Sequence, residues 1–302
     1  MRIAVTGTQG QIVSCLRERV SCLRDRATGE AEIVALGRPL LDLSDRESVR
    51  AALREARCDV IVNAAAYTAV DKAEQEEALA MRVNGEGAGH VAEAAAELGV
   101  PLIHFSTDYV FDGTATRPYR EDDATAPLGV YGHSKLEGER RVAALCPNAT
   151  ILRTAWVYSP FGSNFVRTML RLGETREEVG VVADQLGNPT SALDIADATL
   201  LVAARLCRDD APELRGTFHM TGAGEASWAD VAEAIFARAT EHGRAPVRVR
   251  RITTADYPTP ARRPANSRLD NAKLSRVHGV ALPDWRASLA YCVDRLLAGP
   301  IH

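Results

Sequence analysis

Four short, nearly continuous apolar runs, at residues 3–6, 33–37, 60–65 and 102–107, punctuate the first third of the chain. Strands covered on both faces read this way, because neither face has to alternate with water. The intervals between them carry helical spacing. Ile12, Leu16, Val20 and Leu23 recur every three or four residues, and so do Val91, Ala94, Ala95 and Leu98 ahead of Gly99-Val100-Pro101. Parallel strands need a crossover, and here each crossover reads as a helix, so the βαβα order predicts a doubly wound parallel sheet.

The first turn of that pattern, Thr6-Gly7-Thr8-Gln9-Gly10-Gln11, joins a strand to a helix. Glycines there let the backbone approach a pyrophosphate, whose charge the helix N-terminus favours. Gly7 and Gly10 alone are equally compatible with a tight turn that binds nothing, and Val13 stands where a third glycine is expected. A glycine at that place serves close helix–sheet packing, so its loss predicts a first helix set slightly farther from the sheet.

Beyond residue 150 the pattern is less regular. Strands are expected at 150–157, 179–183 and 217–221, and a helix at 194–206. Ser227 with Asp230 three residues on opens another helix running through Ala239, and 284–297 closes the chain as an amphipathic helix. The segment 257–268, YPTPARRPANSR, has three prolines and three arginines and reads as extended loop. With 302 residues the chain accommodates a Rossmann-like α/β domain over 1–157 and a smaller, mainly substrate-binding domain over 158–302, some of whose segments return to the first.

Composition narrows the partners. A hydrophobic fraction of 46%, 25% charged residues and a net charge of -4 describe an ordinary globular chain that advertises neither nucleic acid nor an anionic membrane. No apolar run approaches the length of a membrane span, and no signal-peptide pattern opens the chain, so a cytoplasmic location is expected. The six cysteines are scattered, without metal-ligand spacing; reduced buried thiols and no bound metal are the expectation.

Three further stretches carry chemistry. The second strand ends in Gly37-Arg38, where a dinucleotide fold usually places an acid for the adenosine ribose. An arginine pairs with a 2′-phosphate that an acid would repel, which favours NADPH over NADH, although a solvated loop charge is the alternative. Asp42 and Leu43 in the following acidic stretch either border the adenine or serve only loop solvation. The strand at 102–107 delivers Ser106, Thr107 and Asp108 at the carboxyl end of the sheet, where open α/β folds bind ligands. Tyr131 and Lys135 form a Y-x-x-x-K pair; a helix starting near Tyr131 puts both on one face, where an ammonium favours tyrosinate and lowers the phenol pKa.

Taken in order, MRIAVTGTQGQ, DVIVNAAAYTAVDKAE, HFSTDYVFDG, PLGVYGHSKLEGE, LRTAWVY, NPTSALDIAD and YPTPARRPANSRLD give the sequence a close resemblance to a known family. It resembles the extended short-chain dehydrogenase/reductases and, within them, the dTDP-4-dehydrorhamnose reductases. The resemblance implies NADPH-dependent reduction of the C4 ketone of dTDP-4-dehydro-L-rhamnose, with NADH as a second usable cofactor. It implies Tyr131 as general acid, Lys135 as its activator and a ribose ligand, and Thr107 as a partner of the reacting oxygen or of Tyr131. Gly7, Gly10, Gln11 and Ile12 would form the pyrophosphate turn, with Ala66, Tyr67, Thr68 and Phe105 bordering the cofactor. Thr107, Asp108 and Trp156 would meet the sugar nucleotide, and Arg263, Asn266 and Arg268 would lie near the substrate or its pyrophosphate. The resemblance leaves room for a homodimer, for a reductase of another nucleotide 4-keto-6-deoxy sugar, and for a catalytically silent NADP(H)-binding regulatory subunit.

Overall fold

The computed structural model describes residues 1–22 and 31–299. Leu23, the last apolar position expected on the first helix, lies outside them. The chain runs β1 (Arg2–Thr6), α1 (Gln11–Cys22), β2 (Glu32–Leu36), α2 (Arg46–Ala56), β3 (Val60–Asn63), α3 (Val70–Ala73), α4 (Glu77–Ala80), a π-helical turn (Met81–Glu86), α5 (Gly87–Leu98), β4 (Leu102–Thr107), α6 (Val130–Leu145) and β5 (Ala149–Thr154). It continues through β6 (Val157–Tyr158), α7 (Phe165–Gly173), β7 (Glu178–Val182), β8 (Leu186–Gly187), β9 (Thr190–Ser191), α8 (Ala192–Leu206) and β10 (Gly216–His219). The last elements are β11 (Ala226–Ser227), α9 (Trp228–Glu241), β12 (Arg248–Ile252), α10 (Ala272–His278) and α11 (Trp285–Leu297).

Six strands form one parallel sheet in the order β10-β5-β4-β3-β1-β2. β1 from Ile3 onward, β3 and β4 are buried on both faces, as their composition requires, while the edge strand β2 is half-buried up to Leu36. Ile3 and Val5 of β1 pack into the layer that holds α1 and α8, and Ala4 into the layer that holds α2 and α5. Burying a side chain the size of Ile or Val contributes roughly 1.5–3 kcal/mol, so these two layers dominate the stability of the sheet. Val13 is 1% exposed and belongs to the first layer. Its Cγ2 lies 3.5 Å from where a Cβ on Gly7 would stand. The valine thus fills the space between helix and turn.

The expected strand at 150–157 is broken. β5 stops at Thr154, and Trp156 adopts a left-handed backbone (φ +49) that turns the chain away to pair β6 with β9. β10 returns to the main sheet and pairs with β5 in parallel. The rest of the second half is built from two-stranded pieces, β7 with β12, β8 with β11 and β6 with β9, under a third apolar cluster that includes Val179, Phe236 and Trp285. Ser227 caps α9 in a reciprocal capping box with Asp230, and Asp284 caps α11. Residues 257–268 contain neither helix nor strand.

Candidate active site

A cleft of about 670 Å³ opens at the carboxyl ends of β1, β3 and β4. The winding direction reverses beside β1, the place where such sheets bind ligands. Gly7 (φ +97) makes the first turn at no steric cost and donates its N–H to the Leu36 carbonyl at 2.6 Å. At Gly10 nothing lies within 4 Å of a hypothetical Cβ, so a ligand can reach the backbone there. The first amides of α1 have no intrahelical acceptor and carry the positive end of the helix dipole, a combination suited to a phosphate. Gln11 anchors the turn: its Oε1 accepts from Ser159 Oγ at 2.8 Å and from Asn164 Nδ2 at 3.0 Å.

The other cofactor candidates divide. Ile12, Ala66, Thr68 and Phe105 line the cleft together with Gly7, Gly10 and Gln11. The Tyr67 side chain points elsewhere, its hydroxyl donating to Glu76 Oε2 at 2.5 Å. Arg38 is exposed at the end of β2 and enters no ion pair among the described residues. Asp42 Oδ1 is occupied by the Ser44 amide and hydroxyl, which hold its carboxyl below the usual range. Leu43 does not face the cleft. It is buried against α5, where a Cβ on Gly87 would come within 2.8 Å of it, because the chain must tuck under the helix before α2 begins.

β4 and α6 bring the chemical groups together. β4 ends in Ser106 and Thr107, and Asp108 follows; all three line the cleft with Tyr131, Lys135 and Trp156. Thr107 Oγ1 donates to Asp108 Oδ1 at 2.9 Å. Asp108 is 2% exposed, and burial pushes its carboxyl up to about 6 while the Thr107 and Ser267 hydroxyls pull it back. Lys135 donates from Nζ to the Phe105 carbonyl at 2.6 Å. Burial lowers its ammonium to about 8, opposed by Glu139 one turn along α6.

Tyr131 is not acidified: burial pushes its phenol up to about 12, the Asp108 carboxylate adds to the rise, and the Thr107 hydroxyl works against it. The cause lies in where the ammonium goes. Lys135 shares a face of α6 with Tyr131, yet it spends its charge on the β4 backbone, so desolvation of the phenol prevails.

Asn84, in the π-helical turn, belongs to none of the sequence motifs. It is 2% exposed, accepts from the Tyr67 amide at 2.8 Å, and donates to the Tyr67 carbonyl and to Ser134 Oγ, both at 3.0 Å. It thereby ties the Ala66–Thr68 wall of the cleft to α6. Its only sequence signal is an asparagine interrupting an otherwise alanine-rich helical stretch.

The late loop is placed differently. Among the described residues, Arg263, Asn266 and Arg268 do not line the cleft. Arg263 pairs with Asp71 at 2.9 Å. Asn266 donates to the Ala115 and Arg117 carbonyls at 2.7 and 2.9 Å, and its Oδ1 accepts from the Arg268 amide and Nε. Arg268 also pairs with Glu225 at 2.7 Å and donates to the Thr116 carbonyl. Asn266 and Arg268 fasten residues 115–117 to the loop, and Arg263 ties it to Asp71, with Nε of Arg263 buried without a partner among the described residues.

The family model described as "RmlD substrate binding domain" matches residues 1–298. A dTDP-4-dehydrorhamnose reductase of Sinorhizobium fredii is 52% identical over 98% of both chains. The chain belongs to the dTDP-4-dehydrorhamnose reductase family. The reductase of Escherichia coli K12 is 44% identical over 84% of this chain and 85% of its own. Among solved structures, the Clostridium acetobutylicum reductase superposes with a TM-score of 0.89 at 38% identity, covering 98% of this chain and 99% of that one. The Bacillus anthracis reductase, solved in complex with NADP, gives 0.87 at 35% identity over 97% and 99%. The Rossmann-type reductase architecture read from the sequence is therefore the observed one, and no helix among the described residues is long and apolar enough to cross a membrane.

Proposed function

We propose that the chain reduces the C4 ketone of dTDP-4-dehydro-L-rhamnose to give dTDP-L-rhamnose, in the cytoplasm, with NADPH as reductant. One observation carries this reading: Thr107, Asp108, Tyr131 and Lys135 meet in a single cleft whose far end is the Gly7–Gly10 turn. The open backbone at Gly10 and the free amides of α1 fit a pyrophosphate, and Lys135 is available to the adjoining ribose. Bound NADPH supplies a hydride to the sugar carbon.

Tyr131 then does the proton work. Because burial keeps its phenol protonated through neutral pH, the hydroxyl is a donor ready for the alkoxide that develops at C4. Thr107 orients that oxygen, and Lys135, an ammonium below about pH 8 with N–H groups beyond the one on the Phe105 carbonyl, holds the adjoining ribose. Residues 1–157 hold the cofactor and 158–302 mainly the sugar nucleotide. Arg38, exposed and without an ion-pair partner among the described residues, reads the 2′-phosphate.

Two measurements test this. Incubation with enzymatically generated dTDP-4-dehydro-L-rhamnose should consume NADPH and yield dTDP-L-rhamnose; no oxidation with any nucleotide 4-keto sugar overturns the reading. Arg38→Ala should weaken NADPH binding by about tenfold and leave NADH unchanged, as loss of one charge-assisted contact predicts. Equal loss for both cofactors would remove Arg38 from the site.

A further inference from the structure

Trp156 lies in a conformation that a bulky residue does not choose. Its φ of +49 belongs to the left-handed region, which non-glycine side chains adopt only where their surroundings hold them. Three contacts do the holding. Its ring stacks on Trp228, the first residue of α9, with centroids 3.7 Å apart and planes within 5° of parallel. Phe165, the first residue of α7, covers Trp228 in turn at 4.7 Å. Its indole Nε1 donates to Ser267 Oγ at 3.1 Å. Gly187 of β8 completes the socket, since a Cβ there would stand 2.6 Å from Trp156 Nε1. Gly187 has no positive φ, so what this position requires is space and not backbone freedom.

Trp156 and Trp228 both line the cleft that holds Tyr131 and Asp108. The stack therefore joins the end of the main sheet to α7 and α9 across the mouth of the site. Aromatic pairs in this geometry are attractive beyond their buried area, and a wall fixed in advance spares a ligand the cost of ordering it.

We propose that Trp228 and Gly187 are positioning residues for the sugar-nucleotide site: together they lock the Trp156 indole as a rigid aromatic wall, and they act on the ligand through that ring. This rests on the reductase reading given above. It extends that reading to Gly187, which has no side chain with which to touch a ligand.

The test uses the full chain labelled with nitrogen-15 at its indoles, so that Trp156, Trp228 and Trp285 each give one N–H resonance. Gly187→Ala pushes on the Trp156 ring and Trp228→Ala removes its stacking partner, two independent routes to one displacement. In both variants the Trp156 resonance should move, and the Kd of dTDP-L-rhamnose by calorimetry should rise about three- to tenfold, the worth of one aromatic pair. The Kd of NADPH should stay within about twofold, and Trp228→Phe, which keeps a ring in place, should restore sugar-nucleotide binding. A resonance that moves while dTDP-L-rhamnose binds normally overturns the proposal, and so does a joint loss of NADPH affinity or a failure of Trp228→Phe to rescue. If one alanine variant does not fold, the other decides. Absence of turnover by the unmodified protein would refute the reductase reading instead, because none of these readouts depends on catalysis.

Discussion

The polar residues of the cleft and those of the late loop look alike in sequence and differ in the folded chain. In the loop, both hydrogens and the oxygen of the Asn266 amide are used, and Arg268 reaches three separate partners. In the cleft, Ser106 Oγ, Asp108 Oδ2 and Thr154 Oγ1 are buried without a hydrogen-bond partner among the described residues. Each such atom costs on the order of 1–3 kcal/mol, which folding alone gives no reason to bear. The contrast teaches that saturated groups in the loop tie chain segments together, whereas the unsaturated ones at the ends of β4 and β5 leave bonding capacity facing the cleft for a ligand. Arg263 stands between the two classes, with its Nη2 on Asp71 and its Nε unpartnered.

The largest effect should come from the cleft side. Tyr131→Phe removes the proton donor and keeps the ring, so kcat should fall by about 10²–10⁴-fold while NADPH affinity and folding stay near normal. Single-turnover rates with NADPH and dTDP-4-dehydro-L-rhamnose measure it. Turnover close to that of the unmodified protein would place the acid on another residue.

Much of the cleft was legible because its parts repeat on a short period. Tyr131 and Lys135 are one helical turn apart, so a helix anywhere near Tyr131 puts them on one face. β1 to β4 are continuous apolar runs because both faces of the sheet are covered, and such runs survive errors of a residue or two in their ends. What escaped has no period to read. β6, β8, β9 and β11 are two residues long. Trp156 breaks its strand through a backbone angle that no tryptophan signals in sequence, and Asn84 sits in a π-helical turn that resembles ordinary helix residue by residue. β12, with Arg248, Arg250 and Arg251 on a solvated edge, shows none of the apolar runs that mark the main sheet. The loop arginines and Asn266 escaped for a different reason: whether a polar group is saturated depends on partners 43 to 192 residues away along the chain.

Asn266→Ala tests the loop side of the comparison. It strips hydrogen bonds from the Ala115 and Arg117 carbonyls and from the Arg268 guanidinium in a residue only 6% exposed. The expected loss is on the order of 3–4 kcal/mol of stability, read as a lower urea midpoint at unchanged slope. The folded variant should still bind dTDP-L-rhamnose within about threefold. Intact stability combined with a large loss of ligand affinity would move Asn266 into the cleft class and dissolve the distinction.

Asp108→Asn should behave in the opposite sense, and its effect is the smallest of the three. Burial raises the Asp108 carboxyl from 3.8 to about 6 in the folded chain. A group whose folded pKa lies above its unfolded value contributes fully below the unfolded value and loses that contribution as pH rises through the folded one. The Asp108 contribution to stability should therefore fall between about pH 4 and pH 6, and at pH 7 the ionised, buried carboxylate should cost on the order of 2–3 kcal/mol. Asparagine has nearly the same shape, can still accept from Thr107 Oγ1 and cannot ionise. The variant should be more stable than the unmodified protein at pH 7, should lack the step between pH 4 and pH 6 contributed by this group, and should turn over more slowly. Urea midpoints at pH 4 and pH 7 supply the measurement. An Asp108→Asn protein that is less stable at pH 7 would mean that the carboxylate is as well satisfied as Asn266, and that the cleft owes its form to folding after all.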